Sequence, residues 1–327
     1  MKKIEQAHWK QAHRLIMSAR LPLLVCHIAP DGDAVGSLTG LGYALRQMGQ
    51  EPTLACSDPI SDHFDYIPGV KSIVQDIDKR SHSFFDLVIA LDCSDIKRIG
   101  HFAQTLMPGN IPLLNIDHHP TNPSFGDVNL VDSQASSTAE VVLRLLEHMD
   151  ASLDADLATC LLTGIVSDTR GFSTSNVTTQ VMEAALRLMR AGASLPYIAY
   201  HTLNRRSTTA ILLWGAALDT VQIEDRVIWT SITQNMRRSV GYVGNGDAGL
   251  ASFLISAAQA DAAVVFVERE DGSVEVGMRA MPGFDVAKVA IRFGGGGHTL
   301  AAGCNLPGPL MEAQARVLAD LRASLSS

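Results

Sequence analysis

The chain has no apolar run of the roughly 18 to 20 residues that a membrane-spanning helix requires, so no such span is expected. It also lacks an uncharged apolar stretch near its start. MKKIEQAHWKQAHRLIMSAR carries charges throughout and reads as an amphipathic helix, not a secretory leader. Cysteine is scarce: Cys26, Cys56, Cys93, Cys160 and Cys304 form no CxxC pair, and most lie inside apolar runs. That usage points to reduced core residues in a cytoplasmic protein. Positive charge is in deficit, with 26 Lys and Arg against 34 Asp and Glu and a net charge of −8. A surface that coats long duplex nucleic acid by neutralising phosphates is therefore not expected. Short or monomeric phosphate esters stay compatible, because a metal site supplies local positive charge whatever the net balance. Low-complexity tracts and repeats of solenoid period are missing as well.

With 327 residues, of which 46% are hydrophobic, the chain is long and apolar enough for about two packed domains. In the first, residues 1–190, apolar runs at 21–25, 51–57, 84–91 and 111–116 alternate with helical spacing, as at 34–48. This is the pattern of an α/β fold with a doubly wound, mainly parallel sheet. Helices follow at 137–149, 154–166 and 180–189. Residues 191–206 read as a linker with a short helix of its own, at 196–203. Residues 207–327 then form a smaller α/β domain, with strands at 227–233, 262–268 and 274–281 and helices near 249–258, 285–291 and 311–325.

The chemistry collects where the predicted strands end. The first strand runs into HIAPDGDAVG, which offers His27, Asp31 and Asp33, with Gly32 read as a sharp turn between the two acids. Asp-Gly-Asp also describes an ordinary turn followed by a helix cap, so this stretch alone decides nothing. Two further strands end in the same way, one on Asp92 and one on Asp117-His118-His119, and the helix at 154–166 leads to Asp168. Asp95 reads as a cap or a surface residue.

Together His27, Asp31, Asp33, Asp92, His118 and Asp168 make a set of imidazole and carboxylate ligands without thiolate. Such a set favours manganese, magnesium or cobalt over structural zinc. A carboxylate can bridge two divalent ions about 3.5 to 4 Å apart that polarise a phosphoryl group and activate a water, and Asp92, alone on the middle strand, is the natural bridge. The expected nucleophile is a metal-bound hydroxide, which needs no serine or cysteine. His119 either assists a phosphoryl oxygen as a catalytic donor or orients His118. In the second domain Gly294, Gly295, Gly296 and Gly297 read as a loop whose N–H groups can form an anion-binding concavity, with His298 beside it and Arg279 as a candidate phosphate clamp. Histidines 8, 13, 63, 82, 101, 148 and 201 receive no role.

In this order, HIAPDGDAVGS, Asp92, Asp117-His118-His119, Asp168 and GGGGH, the chain resembles the DHH phosphoesterases, and within them the bacterial nanoRNases that also act as 3′-phosphoadenosine 5′-phosphate phosphatases. The resemblance covers nearly the whole chain. It implies two manganese ions, one on His27, Asp31 and Asp92, the other on Asp33, Asp92, His118 and Asp168. A DHH-associated domain would hold the substrate's phosphate or terminal nucleotide through Arg279, Gly295, Gly296, Gly297 and His298, with a cleft between the domains, and a homodimer is implied. The expected reaction is hydrolysis of short oligoribonucleotides or of 3′-phosphoadenosine 5′-phosphate. One departure from the family pattern is Arg170, which stands between Thr169 and Gly171. The competing readings are a cyclic-dinucleotide phosphodiesterase, a manganese pyrophosphatase, a RecJ-like exonuclease and a nucleotide sensor without catalysis.

Overall fold

The computed structural model describes residues 4–77, 85–106, 111–244 and 246–325, so His82 and Phe84 lie outside the described residues. The chain divides into two units, the first ending at Arg205 and the second starting at Arg206.

The first unit is built on six parallel strands: β1 (Pro22–Cys26), β2 (Thr53–Ala55), β3 (Ile73–Val74), β4 (Leu87–Leu91), β5 (Leu113–Asp117) and β6 (Val128–Val131). Every residue of β1, β4 and β5 is buried, as expected of central parallel strands covered on both faces. Alternate side chains serve two cores. Leu24, Cys26, Ile89 and Leu91 face the helices α1 (Gln6–Ser18), α2 (Gly32–Gln47), α4 (Thr138–His148), α5 (Ala155–Asp168) and α6 (Thr179–Arg190). Leu23, Val25, Val88 and Ala90 face a thinner layer that contains Phe102 of α3 (Phe102–Leu106).

The strand order β3-β2-β1-β4-β5-β6 reverses direction between β1 and β4. That reversal opens a crevice at the carboxyl ends of the two strands, the usual ligand position in such sheets. His27 directly follows β1 and Asp92 directly follows β4.

Residues 191–206, expected as a linker, are largely helical: α7 (Leu195–Ala199) continues into a π-helical turn at Tyr200–Asn204. Ile198 is buried in the core of the first unit. The short strands β3 and β6 escaped the sequence reading, and the ends of the others differ from it by a few residues.

The second unit has helices α8 (Thr208–Leu218), α9 (Gln234–Val240), α10 (Leu250–Leu254), α11 (Val286–Arg292) and α12 (Leu310–Leu325). Its strands are β7 (Gln222–Glu224), β8 (Val227–Ile232), β9 (Ala262–Glu268), β10 (Ser273–Ala280), β11 (Gly296–His298) and β12 (Ala301–Pro307), in the sheet order β11-β12-β10-β9-β8-β7. Strands β8 and β9 run parallel and the other neighbours antiparallel. Val274, Val276 and Met278 pack on one face with α11 and α12, while Ala263, Val265 and Val267 pack on the other with α8 and α10. The glycine stretch expected as a loop is, at Gly296–His298, an edge strand paired with β12. Part of its backbone hydrogen bonding goes into a sheet ladder rather than into an open anion nest.

Candidate metal centre

The carboxyl ends of β1, β4 and β5 and the end of α5 bring the first-domain candidates together. His27 Nε2 stands 3.4 Å from Asp92 Oδ2 and 3.8 Å from Asp31 Oδ1. His118 Nε2 stands 3.1 Å from Asp168 Oδ2, 3.7 Å from Asp92 Oδ1 and 4.0 Å from Asp33 Oδ2. Among the ligand-competent groups that result in the first unit are His27 with Asp31 and Asp92, Asp33 with His118 and Asp168, and Asp92 with Asp117 and His119; in each, one donor atom per residue lies within 4.8 Å of the others. The Asp92 carboxylate turns one oxygen toward each of the first two.

Local structure explains how each side chain is held. Asp31 caps α2, its Oδ1 accepting the N–H groups of Asp33 and Ala34 at 3.0 Å each. It is thus both a helix cap and a member of the cluster, so the two sequence readings of this residue do not exclude one another. Gly32 proves to be the first helical residue, not a sharp turn. A Cβ there would lie 2.7 Å from Ser167 Oγ, so room, not backbone freedom, requires glycine. Asp33 is fully buried against the amino end of α4, whose Thr138 and Ala139 N–H groups donate to it at 2.6 and 2.9 Å. Helix amino ends favour such an anion. Asp92 takes a left-handed backbone, φ 59°, an uncommon conformation for a residue other than glycine and one that concentrates at functional sites.

Four further residues stand around these ligands, none of them given a role in the sequence. The Thr138 hydroxyl donates to Asp92 Oδ1 at 2.9 Å. Asp117, itself part of the Asp-His-His run and fully buried, accepts from His119 Nδ1 at 2.7 Å and from Asn122 Nδ2 at 2.6 Å. His27 Nδ1 donates to Ile28 O at 2.7 Å, which leaves Nε2 for the cluster; Arg98 Nη2 stands 3.2 Å from the same nitrogen, and since both are donors this is proximity and not a hydrogen bond. Thr138 is legible in the sequence only as part of a Ser-Ser-Thr helix start. Asn122 and Arg98 carry no motif at all. Asp95 caps the helical turn that follows it, as expected of a structural residue.

Charge is crowded here. Burial pushes the Asp33 carboxyl well above its usual range, and the Asp92 and Asp168 charges add to the rise. Burial likewise pushes Asp168 up to about 6 against the pull of His118. Burial would raise Asp92 too, but hydrogen bonding and charge from His27, with the charges of His119 and His118, hold it well below the carboxylate range. For His27 and His118 burial favours the neutral ring, and the surrounding carboxylates outweigh it and raise both. His119 is raised through Asp117 and Asp92 against the same burial. Carboxylates and imidazoles gathered at 3 to 4 Å, most of them buried, form a donor set that divalent cations fit, since a cation offsets the repulsion among the acids.

In the second unit, Arg279 on β10 pairs with Ala301 on β12, which pairs with His298 on β11. Residues directly opposite in antiparallel ladders share a face, so Arg279 and His298 stand on the same side of that sheet. The neighbouring row on that side is Gly277, Gly303 and Gly296. Arg279 donates to Ser252 Oγ at 3.1 Å and to Met278 O at 2.9 Å. The glycines differ in their reasons. A Cβ at Gly295 would come within 2.1 Å of Gly303 O, and one at Gly297 within 2.5 Å of Ala301 O, whereas Gly296 has open space.

Comparison with known proteins gives two family matches, the DHH family N-terminal domain at residues 23–165 and the DHHA1 domain at residues 242–326. The chain is similar to a bifunctional oligoribonuclease and PAP phosphatase NrnA from Thermus thermophilus, with 29% identity across 98% of this chain and 97% of that protein. Its counterpart in Bacillus subtilis is 27% identical across 90% of this chain and 91% of its own. A crystal structure of an exopolyphosphatase-related protein from Bacteroides fragilis superposes with a TM-score of 0.89 at 24% identity, covering 99% of this chain and 98% of that one, a likeness of fold.

Proposed function

We propose that this chain, whose residues 23–165 match the DHH family N-terminal domain and whose residues 242–326 match the DHHA1 domain, hydrolyses phosphate esters in short oligoribonucleotides and in 3′-phosphoadenosine 5′-phosphate. The observation that carries the reading is the Asp92 carboxylate, with one oxygen 3.4 Å from His27 and the other 3.7 Å from His118, set between two groups of ligand-competent side chains. Relatives matched over most of the chain are named for this pair of activities, which supports the substrate class.

Two divalent cations, manganese by the oxygen and nitrogen character of the donors, are assigned to His27, Asp31 and Asp92 and to Asp33, Asp92, His118 and Asp168. When bound, they supply the positive charge that makes a water acidic and offsets charge building on the phosphoryl oxygens. The protein's own part is positioning. Thr138 fixes the Asp92 carboxylate through its hydroxyl, and the amino end of α4 fixes Asp33. His119, whose Nδ1 donates to Asp117, is raised by Asp117 and Asp92 toward the imidazolium, and in that form its Nε2–H donates a hydrogen bond or a proton to the ester in the transition state. That bond to Asp117 favours the donor role over one of orienting His118. In the second domain Arg279, Gly295, Gly296, Gly297 and His298 hold the substrate's phosphate or terminal nucleotide, and the shared face of Arg279 and His298 supports this pairing. Among the described residues no helix is long and apolar enough to cross a membrane.

The test is turnover by the purified protein, with manganese and with the ions removed by chelation, of 3′-phosphoadenosine 5′-phosphate, a diribonucleotide and cyclic-di-AMP side by side. Metal-dependent hydrolysis of the first two, faster than of the third, is expected. Hydrolysis of none of them by metal-loaded protein would overturn the reading and favour a sensor.

A further inference from the structure

The first unit holds a cluster of rings that the chemistry above does not use. The His201 ring centroid lies 4.3 Å from that of Tyr197, 4.9 Å from Tyr66 and 5.3 Å from Tyr200. The inner part is pinned: the Tyr66 hydroxyl lies 2.5 Å from Thr202 Oγ1 and 3.4 Å from Thr163 Oγ1, and His63 Nε2 donates to Thr202 O at 3.1 Å. The outer part is open to solvent, with Tyr197 49% and Tyr200 57% exposed. The sequence has five tyrosines, and three of them meet here. Large rings gathered together yet left uncovered gain little from burial, the usual return on an aromatic side chain. The turn that carries Tyr200, His201 and Thr202 is π-helical, a rare geometry that recurs at functional sites.

Chain neighbours of the cluster, and not its rings, pack beside the candidate metal loops at two points. Phe64, next to His63, lies 3.5 Å from where a Cβ on Gly32 would stand, and Gly32 separates Asp31 from Asp33. Leu203, two residues past His201, lies 2.9 Å from where a Cβ on Gly171 would stand, three residues past Asp168. Arg205 Nη1 stands 3.3 Å from His201 Nδ1 and puts a guanidinium at the edge of the rings. Exposed, clustered rings with a cation at their edge are the chemistry that stacks unpaired nucleobases without regard to sequence.

We propose that Tyr197, Tyr200 and His201 form a stacking platform for a base of a short single-stranded ribonucleotide beyond the nucleotide whose ester is cut. The proposal rests on the phosphoesterase reading above and adds a basis for distinguishing substrates by length. An oligonucleotide reaches the rings, whereas 3′-phosphoadenosine 5′-phosphate has no second base to place there.

The experiment compares the full chain with a Tyr197→Ala/Tyr200→Ala variant and with Tyr197→Phe/Tyr200→Phe, all with manganese. It measures kcat/KM on 3′-phosphoadenosine 5′-phosphate and on di-, tri- and pentaribonucleotides, and the anisotropy of a labelled pentaribonucleotide. The alanine variant should keep the mononucleotide activity within about twofold. On the tri- and pentaribonucleotides it should lose roughly tenfold, through KM, with weaker anisotropy binding. The phenylalanine variant should recover most of the loss, because the ring stacks and the hydroxyl does not. Equal losses on every substrate, or no loss on any together with unchanged anisotropy, would overturn the platform and leave the phosphoesterase reading intact. A change of sedimentation state without a change in length dependence would overturn it too and assign the rings to a second copy of the chain. If the unaltered protein cleaves none of the esters, the phosphoesterase reading falls, and the platform falls with it.

Discussion

The strand ends of the first sheet and the glycine strand of the second both look like functional motifs in the sequence, but packing accounts for them very differently. At the first, buried Asp33, Asp92, His27 and His118 stand 3 to 4 Å from other titratable groups. Nothing in packing explains why a chain would assemble them, since buried like charges cost stability unless something compensates them. At the second, Gly295 and Gly297 are demanded by backbone crowding in the β11–β12 hairpin, whatever the ligand. Residue identity at the first site thus reports on chemistry. At the second it reports partly on architecture, and packing leaves Gly296 unexplained, with open space around it.

The largest effect should come from the residue that joins the two groups. Asp92→Ala should lower turnover on the order of a thousandfold or more, while circular dichroism still shows a folded chain; activity within tenfold of normal would remove Asp92 from the centre. Thr138→Val deletes the hydroxyl that donates to Asp92 and keeps the N–H that donates to Asp33. Manganese affinity, read by titration calorimetry, should weaken by roughly 10 to 100-fold, the usual effect of removing a partner that orients a ligand.

At the glycine strand the expected effects are smaller and divided. Gly297, with φ 138° and a carbonyl 2.5 Å from a would-be Cβ, should cost about 1 to 3 kcal/mol of stability as alanine, whereas Gly296→Ala should stay within about 0.5 kcal/mol. His298→Ala should raise KM roughly tenfold with kcat little changed. Equal destabilisation by the two glycine changes in denaturant melts, or a collapse of kcat in His298→Ala, would erase the distinction between the regions.

The smallest effect is a pH dependence. Asp168, at about 6 in the fold against an ordinary 3.8, binds its proton more tightly when folded, so rising pH costs the metal-free fold stability between these values. His27 and His118, raised above the ordinary 6.5, contribute stability that is complete below 6.5 and fades as pH climbs through their folded values. The opposing contribution of Asp92, whose value is depressed, is lost only as pH falls below about 3.8. The metal-free Tm should therefore fall between about pH 5.5 and 8. Saturating manganese should flatten or reverse that slope, because bound ions hold the ligands deprotonated. A metal-free Tm that rises over this window would contradict the charge crowding.

The central strands were legible because β1, β4 and β5 are short apolar runs that end abruptly on polar residues. The candidate ligands were legible because each follows such a run or an apolar helix. Strands β11 and β12 were not, since GGH and AAGCNLP carry almost no strand-favouring residues and are ordered by pairing alone. Thr138 hid behind its role in starting α4. The reason for Gly32, the oxygen of Ser167, lies 135 positions away in the chain, where no local pattern reports it. The ring cluster was invisible for the same reason, as Tyr66, Tyr197 and Tyr200 share no periodicity that would bring them together.

Diffraction at the manganese absorption edge, from crystals grown with the ion, tests the pairing of cations around Asp92 most directly. Two anomalous peaks are expected, one beside His27 and Asp31, the other beside Asp33, His118 and Asp168, with the Asp92 carboxylate touching both. A single peak, or two peaks that share no carboxylate, would contradict it.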